Sequence, residues 1–251
     1  DALASYEGDS RMKKYPRTEK YDANWISDNW MGPNPLWLLE ELCEHMDLKP
    51  GMKVLDMGCG KGITSVFLAK EFGVTVFAND LWISATENMK RFVEAGVDDL
   101  VFPIHAEAHA LPYAEDFFDA AISIDSYHYY GADEAYFPYT YSKLVKPGGQ
   151  FGIVVPGLTR EFEKGYPDTL ESLWIPEMFT FHSKDWWRHL WEKTKIAEIT
   201  VCYEMEKPKE LWQLWAEWAK EHLESDLDVE FLKSDTNNDI ALIVMAATKN
   251  T

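Results

Sequence analysis

From Met52 to Val155, short apolar runs alternate with stretches of helical period. The apolar runs begin at Val54, span Val74 to Ala78 and Leu100 to Ile104, lead from Asp119 toward Asp125, and resume at Phe151 after a Pro-Gly-Gly turn. Between them, Ile63 to Phe72, Ile83 to Ala95 and Glu134 to Leu144 repeat apolar residues at helical spacing. Continuous apolar strands joined by helical crossovers predict a parallel sheet covered on both faces, an α/β fold. Upstream, a helix is predicted from Pro35 to His45, with Trp37, Leu38 and Leu42 as its core-facing stripe. Beyond Val155 the pattern loosens. Pro156 to Lys193 is too long for an ordinary connection and carries Trp174, Phe179, Phe181, Trp186, Trp187 and Trp191, so it reads as an aromatic-rich cap over the site. Strands are predicted again at Ile196 to Met205 and Ile240 to Ala247. Between them lies a helix over Leu211 to His222, striped by Leu211, Leu214, Trp215 and Trp218.

No repeat or low-complexity tract interrupts this order, and Ser234 to Asp239 reads as a surface turn. The expectation is one domain over 1–251: an N-terminal lid and helix (1–50), a ligand-binding core (51–155), the cap (156–193) and C-terminal strands and helix (194–251). At 251 residues and 46% hydrophobic, the chain can bury a full core.

Charge and cysteine usage narrow the function classes. Against 43 acidic residues stand 24 basic ones, a net charge of −19, and no basic footprint of the kind that displaces phosphate counterions is visible. Nucleic acid is therefore not expected as a partner, and a neutral or cationic small molecule suits the field better. No apolar run is long enough to span a membrane, and the N-terminus is polar without a signal-peptide core, so a soluble, cytoplasmic protein is expected. The chain begins without Met, and residues ahead of Asp1 are expected. Cys43, Cys59 and Cys202 are scattered, which fits a reducing compartment, and neither they nor His105, His109, His189 and His222 have metal-ligand spacing. Oligomeric state is left open.

The chemistry is concentrated in VLDMGCGKG, Val54 to Gly62. Glycines at 58, 60 and 62 let the backbone turn sharply and let a ligand approach main-chain N–H groups, and the helix that follows adds free donors. Asp56, just ahead of the glycines, would repel a pyrophosphate but suits the ammonium of an amino acid. An adenosine carrying an aminoacyl tail is the ligand that meets both conditions. Twenty-four positions on (80 minus 56), the second strand ends on Asp80, where an acid can accept from both ribose hydroxyls.

At these residues the chain resembles the class I S-adenosylmethionine-dependent methyltransferases, whose first motif is an acid, one residue and glycines at alternate positions. The resemblance is strong from Met52 to Val155 and general elsewhere. It implies a Rossmann-like, doubly wound, seven-stranded sheet with the last strand antiparallel beside the sixth, S-adenosylmethionine as cofactor, and methyl transfer to a small molecule such as an amine, thiol, phenol or carbon nucleophile. In AEAHALPY, Ala106 to Tyr113, it implies that Glu107 accepts from the adenine amine and the Ala108 N–H meets a ring nitrogen. Cys59 in the loop, Leu81 beside Asp80, and Asp125, where the strand bordering the transfer site ends, complete the expected cofactor set.

On the acceptor side, Tyr127 and His128 follow that strand directly. His128 is the first candidate for general base or orienter, although a histidine there could simply cap the strand. Tyr21, Trp30, Trp174, His182 and Trp186 are candidate substrate contacts, because an aromatic-walled pocket with one polar donor is a common way to hold a small ligand and aromatic faces attract cations. Most of these rings can equally be packing. Two other readings stand. A non-catalytic S-adenosylmethionine-binding protein would keep every cofactor residue, since methyl transfer obliges no catalytic side chain. A nicotinamide-dependent oxidoreductase shares the glycine turn and the acid, but is disfavoured by Asp56 and by GCGKG in place of GxGxxG.

Overall fold

The computed structural model describes residues 15–251. The first part of the expected N-terminal lid, residues 1–14, lies outside them. Seven strands form one sheet: β1 (Lys53–Met57), β2 (Thr75–Asp80), β3 (Val101–His105), β4 (Phe118–Ile124), β5 (Val145–Leu158), β6 (Ala197–Glu204) and β7 (Ile240–Lys249). Their order is β3-β2-β1-β4-β5-β7-β6. All pairs from β3 to β5 are parallel, and β7 enters antiparallel between β5 and β6. The expected seven-stranded Rossmann-like fold with its antiparallel last strand is the fold observed.

The central strands are buried on both faces, as their continuous apolar runs require. Successive side chains of β1 point to opposite sides. Val54 packs into a core with the N-terminal helices and the glycine-loop helix, while Leu55 and Met57 join Phe118, Tyr127, Trp187 and Trp191 on the other side. Helices α1 (Ala23–Asn29), α2 (Pro35–Cys43), α3 (Ile63–Phe72), α4 (Ala85–Ala95), α5 (Lys184–Glu192), α6 (Pro208–His222) and α7 (Leu227–Ser234) supply the cover. Local chemistry sets several boundaries. The Asp22 carboxylate accepts from the Trp25 N–H, Asn34 accepts from Leu36, and Ser84 with Glu87 forms a reciprocal cap on α4.

One predicted element differs. In place of a regular helix over Glu134 to Leu144, the chain makes a wide π-turn at Phe137–Tyr141 and a 3-10 turn at Ser142–Leu144. Pro138 lacks the N–H a regular helix needs, and the wider turn lets Tyr136, Phe137 and Tyr141 all bury. The Pro-Gly-Gly turn is absorbed into β5, as an irregularity of its pairing with β4 between Phe118 and Ala120. Because β1 pairs with β2 on one side and β4 on the other, the carboxyl ends of these strands leave a crevice.

Candidate functional site

A cavity of about 290 Å³ opens in that crevice. Its walls come from the glycine loop (Gly58 to Lys61), the ends of β2 (Asn79 to Trp82) and β3 (Ala106 to His109), and the end of β4 (Ile124 to Ser126 with Tyr129 and Tyr130). The segment between α1 and α2, with Asn29, Met31, Gly32, Pro33 and Pro35, closes it from above.

The glycine loop is braced from within. The N–H groups of Gly58 and Cys59 both donate to the Asn79 carbonyl at 2.8 and 3.0 Å, Gly62 donates to Cys59 at 2.9 Å, and Gly60 donates to Asp80 Oδ2 at 2.8 Å. The main-chain donors of the glycines and of Cys59 are therefore engaged within the protein. Gly58 sits at φ +74°, and a Cβ there would lie 1.9 Å from Ser126 Oγ, so only glycine lets the loop close against the end of β4. Gly62, at φ +81°, does not reach the cavity. It starts α3, and a Cβ would meet the Phe92 ring at 2.5 Å.

Asp56 also lies behind the wall. Its Oδ2 accepts from Thr64 Oγ1 and Ser65 Oγ at 2.6 Å each, which ties β1 to the first turn of α3. Oδ1 is buried without a partner. Burial pushes the carboxyl up to about 6 even though the two hydroxyls pull it down. Asp80 is on the wall. Oδ1 takes the N–H groups of Trp82 and Ile83 at 2.8 and 2.9 Å, and Oδ2 takes that of Gly60. A carboxylate has about four lone-pair sites, so roughly one is open toward the cavity. Glu107 turns toward His109, accepting from its N–H and its Nδ1, and this holds the carboxyl below its ordinary value.

Asp125 closes the β4 side of the cavity. Its backbone is left-handed at φ +52°, its N–H donates to the Val154 carbonyl at 2.8 Å, and its carboxylate has no hydrogen bond or ion pair to the described residues. Burial, and secondarily the charge of Asp228, pushes this carboxyl up to about 7. Directly above it runs the bare backbone of Gly32.

The cavity thus brings together Gly58, Cys59, Gly60, Asp80, Leu81, Glu107, Ala108 and Asp125 of the expected cofactor set. It does not bring in the expected acceptor-side residues. After β4 the chain makes one helical turn, His128–Gly131, so Ser126, Tyr129 and Tyr130 share its cavity face while Tyr127 and His128 turn away. Tyr127 is fully buried among Tyr136, Tyr141, Trp187 and Trp191. His128 is buried 4.2 Å from the Tyr129 ring, with Nδ1 lacking a partner, and burial alone lowers it to about 3. Tyr21 stacks on Trp25 and donates to Glu71. Trp30 packs edge-on against Trp215 and Trp218, Trp174 lies by Phe181 and Phe231, and His182 stacks on Trp186 while bonded to Glu161. None of these five lines the cavity.

Asn29, Gly32 and Ser126 carry no expected role, whereas Met31 falls within the expected N-terminal lid and Tyr129 and Tyr130 within the aromatic cluster after the strand that borders the transfer site. Which residues of the expected lid reach the cavity depends on remote contacts: Lys61 Nζ donating to the Asp28 carbonyl at 2.9 Å, and Trp30 docking on α6. The helical turn after β4 could have been read from spacing.

Residues 54–149 match the methyltransferase domain family. Over 118 residues the chain is 34% identical to the methyltransferase GfsG of Streptomyces halstedii, covering 46% of this chain and 42% of that one. Over 156 residues it is 34% identical to phosphoethanolamine N-methyltransferase 1 of Arabidopsis thaliana, covering 58% and 31%. The chain thus spans less than half the length of these relatives. Its fold matches that of geranyl diphosphate C-methyltransferase from Streptomyces coelicolor A3(2) with a TM-score of 0.71 at 18% identity, over 98% of this chain and 87% of that one. Residues 54–149 therefore form a methyltransferase domain, carried on the class I S-adenosylmethionine-dependent methyltransferase fold.

Proposed function

We propose that this chain binds S-adenosylmethionine in the 290 Å³ cavity and catalyses methyl transfer to a small-molecule acceptor. The observation that carries this reading is the pairing of an acid at the end of β2 with a glycine loop whose N–H groups are internally engaged. Such a wall suits a ligand with a ribose, and at Gly58 to Gly60 it offers a dinucleotide pyrophosphate no free main-chain donor.

The residues present fit the cofactor. Asp80 keeps a lone pair for a ribose hydroxyl, Leu81, Glu107 and the Ala108 N–H flank the place for the adenine, and Gly58 to Gly60 leave room that a Cβ would fill. Asp56 holds α3 to β1 from behind and lends the loop its negative potential. When bound, S-adenosylmethionine supplies a methyl group already activated on a sulfonium, so the protein's task is to position the acceptor and exclude water. Met31 over Gly60 and the Trp82 and Tyr129 rings, whose centroids stand 5.4 Å apart, close the site for that purpose. In this reading His128 acts through Tyr129 by fixing its ring, and Tyr127 anchors the turn beneath. Tyr21, Trp30, Trp174, His182 and Trp186 hold the surrounding cover in place. Nucleic acid is no partner, and the setting is cytoplasmic; among the described residues no helix is long and apolar enough to cross a membrane.

Two of the similar proteins have phosphate-bearing molecules in their names, phosphoethanolamine and geranyl diphosphate. Calorimetric titration with S-adenosylmethionine, S-adenosylhomocysteine and NAD tests the cofactor. Binding of the first two and not the third is expected, with Asp80→Ala weakening both by about 1.5–3 kcal/mol per lost hydrogen bond at most. Binding of NAD alone would overturn the reading.

A further inference from the structure

We propose that Asp125 recognises the acceptor, and that the acceptor is an amine carrying no phosphate. This rests on the reading of the cavity as a methyl-transfer site.

Among the described residues, Asp125 is the carboxylate on the cavity wall that lacks a hydrogen-bond or ion-pair partner. Asp80 accepts three backbone N–H groups and Glu107 is bonded to His109. The left-handed backbone of Asp125, which aspartate tolerates, turns the chain out of β4 at the cavity wall. Above the carboxylate, Gly32 offers bare backbone. A Cβ at that position would lie 2.2 Å from Asp125 Oδ2, so the absence of a side chain at Gly32 is what lets the carboxylate take its place on the cavity wall.

The charges around this space select the ligand. Another acid, Asp228, acts on Asp125, and it is itself occupied in accepting from the indole N–H groups of Trp212 and Trp215. No arginine lines the cavity among the described residues, and Lys61 is bonded to the Asp28 carbonyl. With the N–H groups of Gly58, Cys59 and Gly60 engaged, a phosphate placed beside Asp125 meets a carboxylate with no guanidinium to offset it. An amine finds a carboxylate to receive its N–H, and the Tyr129 ring beside it adds an attractive face for positive charge. An acceptor arriving as an ammonium would give its proton to Asp125, an N–H bond breaking and an O–H bond forming; the freed lone pair would then make the N–C bond as the methyl's C–S bond breaks, its electron pair leaving on the sulfur of S-adenosylhomocysteine.

The test uses the full chain with S-adenosylmethionine as donor and primary, secondary and tertiary amines (ethanolamine, putrescine, dimethylethanolamine) against phosphoethanolamine, catechol and 2-mercaptoethanol. Asp125→Asn is the matched variant, because Asn tolerates the left-handed backbone. Turnover is expected on an unphosphorylated amine. In Asp125→Asn, kcat/KM for that amine should fall by about tenfold or more while S-adenosylhomocysteine affinity stays within about twofold. Preference for phosphoethanolamine, catechol or the thiol overturns the proposal and leaves the methyltransferase reading intact, as does S-adenosylhomocysteine binding without turnover of any amine. Loss of S-adenosylhomocysteine affinity in Asp125→Asn also overturns it, by placing this carboxylate on the cofactor. Failure of the parent protein to bind S-adenosylhomocysteine overturns both readings together.

Discussion

Gly32 and Asp125 meet across the cavity so closely that a Cβ on the glycine would stand 2.2 Å from Asp125 Oδ2. The two belong to segments 93 positions apart (125 minus 32), one entering α2 and the other leaving β4. Their contact joins the N-terminal segment to the sheet at the point where the acceptor would sit. Gly32→Ala should therefore displace either the carboxylate or the segment, at a cost of about 1–3 kcal/mol for an overpacked contact. The effect should appear as weaker acceptor binding together with a lower denaturation midpoint. Unchanged kinetics would place the acceptor elsewhere.

Two glycines of the loop should fail in different ways. Gly58→Ala drives a Cβ into Ser126 Oγ on the cavity wall, whereas Gly62→Ala drives one into the Phe92 ring behind it. Both also force alanine to a positive φ, costing about 1 kcal/mol or more. S-adenosylhomocysteine titration should register Gly58→Ala as lost affinity. Urea denaturation should register Gly62→Ala as lost stability, with affinity retained in the folded fraction.

Thr64→Val and Ser65→Ala each remove a 2.6 Å hydrogen bond to the buried Asp56 carboxylate. Bonds to a charged group are worth about 1.5–3 kcal/mol, so each variant should be destabilised by that order. Loss of either bond should also raise the Asp56 carboxyl above its present value of about 6, observable by NMR titration of the side-chain carboxyl.

The pH dependence has a definite sign. Asp125 and Asp56 titrate near 7 and 6 in the folded chain against an ordinary value of 3.8. Between about pH 4 and 7 the folded state therefore holds protons that the unfolded state has released, and these two groups make stability fall as pH rises through that window. Their contribution is fully present below about pH 4 and lost above about pH 7. Asp125→Asn should flatten the upper part of this slope in urea midpoints measured across pH. An amine acceptor should bind more tightly as Asp125 ionises, which KM measured from pH 6 to pH 8 would reveal.

His128 separates shape from proton chemistry. Its ring is buried, partnerless at Nδ1, and 4.2 Å from Tyr129. His128→Phe should keep most of the turnover by preserving that packing, and His128→Ala should lose it through a cavity costing about 3–5 kcal/mol at most. Equal loss of kcat in both variants, with stability retained in His128→Phe, would assign the imidazole a proton-transfer role.

The sequence by itself determined the sheet, its crossovers and the crevice at its strand ends, because those depend on short-range rules. Apolar runs bounded by glycine become buried strands, and a ligand crevice forms at their carboxyl ends. Gly58, Asp80, Glu107 and Asp125 are legible for that reason, each standing at or just past a strand end. Tertiary structure decided which face each residue presents. Asp56 reads as a ligand contact until Thr64 and Ser65 turn it inward, and His128 reads as catalytic until one helical turn sends Tyr129 and Tyr130 to the cavity instead. The cavity's cover over Gly60 and Asp125 is set by Met31 and Gly32, whose position follows from Trp30 docking on Trp215 and Trp218 nearly two hundred residues away. Long-range packing of this kind carries no local period, and only the folded chain brings those surfaces together.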